Sequence, residues 1–175
     1  MKTLKEYINE SITVDTDHIF QPRNRKELIE AIKTLVKERG NNADLNDIDT
    51  SHINDMSNVF YGMVDFNGDI SEWNVSKVEY MDNMFNGAYS FNGDISKWDV
   101  SHVKAMDGMF ENAKNFDQGI SKWDVRNVRN MDYMFGGAEK FNQDLSKWDV
   151  SNVESYHNVF YNCPIKEQYK PKFND

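Results

Sequence analysis

The chain repeats itself every 25 residues with no insertion. FNGDISEWNVSKVEYMDNMFNGAYS at 66–90 runs directly into FNGDISKWDVSHVKAMDGMFENAKN, and the phase continues to residue 165. A unit of this size cannot bury its own apolar face, so it must stack on its neighbours. The columns are Phe66/Phe91/Phe116/Phe141, Trp73/Trp98/Trp123/Trp148, Val75/Val100/Val125/Val150, Met81/Met106/Met131 and Phe85/Phe110/Phe135/Phe160. Residues 44–62 align with 69–87, which extends the array back to 41 and makes five copies. The first has Ile48 in the Trp column; the last has Tyr156 for Met and Cys163 for the small Ala88/Ala113/Ala138. Atypical end copies suit a stack whose ends meet solvent or a cap.

Within one copy, Trp73 and Val75 alternate at period 2 among β-forming residues, which predicts a short strand near 72–76. Val78, Met81, Phe85 and Ala88 then follow helical spacing, with Ser76 as a candidate cap. The predicted fold is therefore α/β: a right-handed, leucine-rich-repeat-like solenoid with one short parallel strand and one short helix per repeat. NRKELIEAIKTLVKER at 24–39 predicts an amphipathic helix, with Asn24 as N-cap, Gly40 as stop and Leu28, Ile32, Leu35 and Val36 on one face. It is expected to cap the array. The predicted organisation is a helical or targeting segment at 1–15, the helical cap at 16–40, five repeats at 41–165 and a tail at 166–175.

Charge narrows the partners. There are 20 Lys+Arg against 29 Asp+Glu, a net charge of −9, and residues 41–165 hold 20 of the acids against 9 bases. That balance disfavours direct nucleic-acid binding and anionic membranes. Cys163 is the only cysteine, which leaves no internal disulfide and no cysteine-based zinc site. No apolar run approaches a membrane span and no signal peptide core is seen, so the expected location is the cytoplasm or a phage virion.

FNGDISKWDVSHVKAMDGMFENA, FDQGISKWDVRNVRNMDYMFGGA and FNQDLSKWDVSNVESYHNVFYNC resemble the 25-residue repeat of the BspA-like leucine-rich-repeat surface proteins. The resemblance covers about 41–165. It implies a leucine-rich-repeat-like stack, contacts with other proteins or cells, and no active site; cell-surface location is the habit of that family. Val78, Val103, Val128 and Val153 stand where ordinary leucine-rich repeats place Asn, so turn geometry is expected to differ. MKTLKEYINESI is similar to the cleaved N-terminal peptides of packaged phage proteins, with Ile8-Asn9-Glu10 as the cleavage site. The alternative is a first helix with Leu4, Ile8 and Ile12 inward.

The Trp column invites sugar stacking, but its phase is that of the core. Asp69, Asp94 and Asp144 suggest calcium, yet Gly119 interrupts them and no compact ligand loop exists; turn capping is the simpler role. Met81, Met106 and Met131 read as core, while Met84, Met109 and Met134 leave a Met-lined groove open. No nucleophile, metal-binding or phosphate-loop motif occurs, so no catalytic, cofactor or metal residue is assigned. Side chains flanking each Trp should point outward. They make Glu72, Asn74, Lys97, Asp99, Lys122, Asp124, Lys147 and Asp149 the candidate partner-binding surface. The leading expectation is a non-enzymatic repeat protein that binds a protein partner. The alternatives are a virion or capsid-associated protein and an acidic nucleic-acid mimic, the latter opposed by the Lys column.

Overall fold

The computed structural model describes residues 20–174. The expected segment at 1–15 and the first part of 16–40 lie outside them. Helix α1 spans Arg25–Arg39 and is built as its sequence predicts. The Asn24 side chain accepts from the Glu27 amide at 3.0 Å, and the Glu27 carboxylate accepts from the Arg23 amide at 2.9 Å. Gly40, at φ 89°, ends the helix. Leu28, Ala31, Ile32 and Leu35 are buried in the same core as the repeats. Arg25 reaches Asp55 at 2.9 Å and Arg39 reaches Asp47 at 2.6 Å, so α1 lies against the first copy.

The repeats correct the expected fold. Among the described residues α1 is the only α-helix, with one 3-10 turn at Glu167–Tyr169. Backbone pairing is confined to isolated parallel bridges, such as Asp55↔Tyr80, Tyr80↔Ala105, Ala105↔Asn130 and Asn130↔Ser155. No strand or sheet forms, and no repeat contains a helix. The α/β, leucine-rich-repeat-like solenoid is therefore not the architecture of this chain. Each copy is instead a coil of successive β-turns.

In the second copy the amides of Trp73, Val78, Met84, Ala88 and Phe91 close turns on the carbonyls of Ile70, Val75, Met81, Phe85 and Ala88, at 2.9–3.2 Å. Between those local bonds, every second amide reaches the next coil. Met81, Asn83, Phe85 and Gly87 donate to Ala105, Asp107, Met109 and Glu111 at 2.8–3.0 Å. The same four bonds recur at each of the four junctions from the first coil to the last. Tyr80 O accepts from Met56 N while Met81 N donates to Ala105 O, so a single peptide group carries the bond onward. Four continuous hydrogen-bond chains thus run along the stack.

An α-helix at 78–88 is blocked at two residues in each coil. Asn83 lies at φ 54° and Gly87 at φ 72°, both left-handed. The equivalent positions elsewhere are Asn58, Gly108, Tyr133 and Asn158, and Gly62, Asn112, Gly137 and Asn162. Asn and Gly tolerate this region at low cost; other residues lose roughly 1–2 kcal/mol there.

Inside the coils the rings stack in file. Phe85–Phe91, Phe110–Phe116 and Phe135–Phe141 lie 4.0–4.1 Å apart within a coil, and Phe85–Phe110–Phe135–Phe160 follow at 5.5–5.7 Å between coils. Such pairs contribute about 0.5–1.5 kcal/mol each beyond burial. Each buried Trp donates Nε1 to a carbonyl of the preceding coil: Trp73 to Leu45, Trp98 to Ile70, Trp123 to Ile95 and Trp148 to Ile120, at 2.9–3.3 Å. The segment around each Trp is therefore tied to its neighbour by an indole rather than by a strand ladder.

Tyr133 is the one left-handed position held by neither Asn nor Gly, and it is 42 % exposed. Tyr133→Asn should therefore stabilise the fold by about 1 kcal/mol in urea unfolding. Gly137→Val should destabilise it by more than about 2 kcal/mol, because φ is +70° and a Cβ would lie 2.5 Å from Asn112 Oδ1.

Candidate functional site

Burial alternates around each Trp, which places Lys97 and Asp99, and likewise Lys147 and Asp149, in solvent on either side of a buried ring. Glu72, Asn74 and Lys122 are also exposed, and Asp124 is half-buried. The eight residues expected to form a binding surface thus share one outer face. Their roles divide. Asn74, Asp99 and Asp149 accept the amides of Ser76, Ser101 and Ser151 at 3.1 Å, closing turns. Asp124 accepts the Arg126 amide at 3.3 Å and is gripped by its guanidinium at 2.7 and 2.9 Å.

These bonds hold the carboxyls low. Asp99 and Asp149 lie below the usual carboxylate range because of the hydroxyl and amide of Ser101 and Ser151, and Asp124 because of Arg126. Asp69, Asp94 and Asp144, weighed above as calcium ligands, instead accept the amides of Ser71, Ser96 and Ser146 at 2.9–3.0 Å. Among the described residues, Lys97, Lys122 and Lys147 make no hydrogen bond or ion pair. Lys97 and Lys147 lower the carboxyls of Asp94 and Asp144, not those of Asp99 and Asp149.

Two other readings of the repeated residues fall. The Trp rings are only 4–6 % exposed, which leaves no platform for a sugar. Met84, Met109 and Met134 are fully buried with Met81, Met106 and Met131, so no Met-lined groove exists. Among the described residues, no group of three or more His, Cys, Asp or Glu could hold a metal ion.

One feature went unread in the sequence. The residue after the Met column is Ser57, Asp82, Asp107, Asp132 and His157 in successive coils. Three carboxyls are therefore stacked along one line, half-buried, beside the four hydrogen-bond chains. The outer two are served by their neighbours. Ser57 Oγ donates to Asp82 at 3.1 Å, and Asp132 accepts the His157 amide at 2.6 Å and Ser155 Oγ at 2.8 Å. Burial opposes ionisation of Asp132, but the His157 amide, Ser155 hydroxyl and His157 ring outweigh it and hold its carboxyl below the usual range.

Asp107 has Asn130 Nδ2 at 3.1 Å and otherwise faces Asp82. Burial, then the hydrogen bond and charge of Asp82, push the Asp107 carboxyl up to about 7. Asp82 Oδ1 is buried with no hydrogen-bond partner.

Ser155, His157 and Asp132 superficially suggest a hydrolytic triad. Ser155 Oγ and Asp132 Oδ1 both meet His157 Nδ1 at 3.1 Å, and Ser155 also donates directly to Asp132. A relay needs the serine on one ring nitrogen and the carboxylate on the other. The group is a turn lock on Asp132.

The acid pair has a pH signature. Asp107 is raised from 3.8 to about 7, so its contribution is full below the unfolded value and is lost as pH rises through about 7. The lowered carboxyls, including Asp94, Asp99 and Asp149, act oppositely and lose their contribution as pH falls below 3.8. Thermal stability should therefore peak near pH 4 and decline between about pH 4 and 7. Asp107→Asn, whose amide can donate to Asp82, should match the parent near pH 4 and melt higher at pH 8, as read by a pH series of melting curves.

Neither the comparison with curated proteins nor that with solved structures gave a match. A family model, described as a Mycoplasma protein of unknown function, DUF285, matches twice, at residues 30–118 and 96–174. The two matches overlap at 96–118 and together cover the later part of α1, all five coils and the tail to residue 174. The chain belongs to the DUF285 family of Mycoplasma proteins of unknown function.

Proposed function

We propose that the chain is a non-catalytic scaffold that binds a protein partner through the outer face carrying Glu72, Asn74, Lys97, Asp99, Lys122, Asp124, Lys147 and Asp149. The observation that carries this reading is the lysine column. Lys97, Lys122 and Lys147 recur at the stack interval, are exposed, and make no hydrogen bond or ion pair among the described residues. Asp99 and Asp149 are already bound to their own turns through Oδ1, which fixes their positions while leaving Oδ2 for a partner. Rigid acceptors beside free ammonium groups favour a partner surface of mixed charge. The resemblance of the WDVSNV-type string to BspA-like surface proteins supports a role in protein contacts.

The acidic-mimic reading has less support, because the same lysines interrupt the negative stripe. Affinity capture with the parent chain and with Lys97→Glu/Lys122→Glu/Lys147→Glu tests the proposal. The triple variant should keep the parent's circular dichroism and melting curve and lose its partner by roughly tenfold or more in affinity. Equal capture of every partner by a folded triple variant overturns the assignment of this face.

A further inference from the structure

At each inner junction four amides find four carbonyls. Met131, Tyr133, Phe135 and Gly137 donate to Ser155, His157, Val159 and Tyr161 at 2.7–2.8 Å. In the last coil the equivalent donors are Tyr156, Asn158, Phe160 and Asn162, and none has an acceptor among the described residues. The row is nonetheless formed: Asn158 at φ 54° and Asn162 at φ 53° repeat the left-handed geometry of the inner coils.

The tail lies over part of this end, with Lys170 Nζ 5.9 Å from the centre of the Phe160 ring. Leu145 N donates to Tyr169 O at 2.8 Å, and Tyr156 stacks on Phe173 at 4.5 Å. Asn158, Tyr161 and Asn162 stay exposed, and Phe160 is half-buried where Phe85, Phe110 and Phe135 are fully buried. The turn is also unclosed here. Val59, Met84, Met109 and Met134 each donate to the residue three before, at 3.1–3.3 Å, whereas Val159 makes no such bond.

We infer that this edge adds an extended segment of a partner protein, which lays alternate carbonyls on the four free amides and an apolar side chain over Phe160. The occupant follows from continuity with the inner junctions, where the same row takes the same acceptors four times over. A second copy stacked head to tail does not fit. Its first coil is covered by α1, whose Leu28, Ile32 and Leu35 are buried in the core, and a helix about 10 Å across keeps another coil from approaching to about 4.8 Å. This surface is separate from the lysine face.

Peptide VKAMDGMFENA, residues 103–113, carries the carbonyls to which Met81, Asn83, Phe85 and Gly87 donate in the inner stack, and serves as the probe. In amide exchange on the full chain, Tyr156, Asn158, Phe160 and Asn162 should exchange at least about tenfold faster than Met131, Tyr133, Phe135 and Gly137. The peptide should slow those four selectively, and a scrambled peptide should not. Phe160→Pro, which deletes one donor, should weaken the peptide by roughly tenfold. If that variant fails to fold, the exchange map of the parent decides. Equal protection of both rows without peptide, no effect of peptide at millimolar concentration, an equal effect of the scrambled peptide, or concentration-dependent head-to-tail self-association through the row would each overturn the inference.

Discussion

An amide that reaches across to the neighbouring coil cannot also close a helical turn, and that competition decides the backbone of every repeat. Alternate residues are split between the two duties. Met81, Asn83, Phe85 and Gly87 bond forward along the stack, while Met84, Asn86 and Ala88 bond back within the coil. The left-handed residues at Asn83 and Gly87 make the alternation possible, since each reverses the local path after a single turn. Remove either and the segment becomes free to wind into the helix its apolar spacing suggests. The fold rests on where Asn and Gly stand as much as on where Phe and Met stand.

The aromatic files and the acid row follow from the same geometry. When every coil repeats the last with no insertion, like side chains must meet like. For Phe and Trp this is favourable, since flat rings stack and the indole N–H finds a carbonyl one coil back. For carboxyls it is not, and the stack copes differently at each site. The exposed Asp columns are drawn onto turn amides, Asp132 is served by Ser155 and His157, and the Asp107 carboxyl is pushed up to about 7.

Much of this was legible in the residues. Asn24 and Gly40 bracket α1 correctly, and the repeat phase places every Phe and Trp in the core. The misreading is instructive. Two consecutive four-residue turns, 81–84 and 85–88, bury both their ends. They therefore present apolar residues at i, i+3, i+4 and i+7, the same spacing as one face of a helix. Hydrophobic period alone cannot separate the two. The Asn or Gly four residues apart in nearly every copy could have, because two left-handed residues inside three turns exclude a helix. The alternation around Trp suggested a strand, but a strand needs a neighbour's backbone, and there an indole takes its place. The acid row stayed hidden because Asp82 sits within a Met-Asp-Asn-Met-Phe run whose apolar members claim the eye.

The four hydrogen-bond chains have an electrical consequence. Their peptide groups all point the same way, from the carbonyls of the first coil to the amides of the last, so their dipoles add as they do along a helix. Unlike a helix, the axis of addition runs across the chain's path rather than along it. The negative pole falls on the first coil, where Arg25 sits on Asp55 at the start of α1. A helix start carries partial positive charge, so α1 stands with its positive end beside that pole. Because the charge at a pole depends on the terminal groups and not on the number between them, a stack of any length would present the same two ends. On this view α1 is an electrostatic stopper as well as an apolar lid, and the opposite end of the stack is left positively polarised.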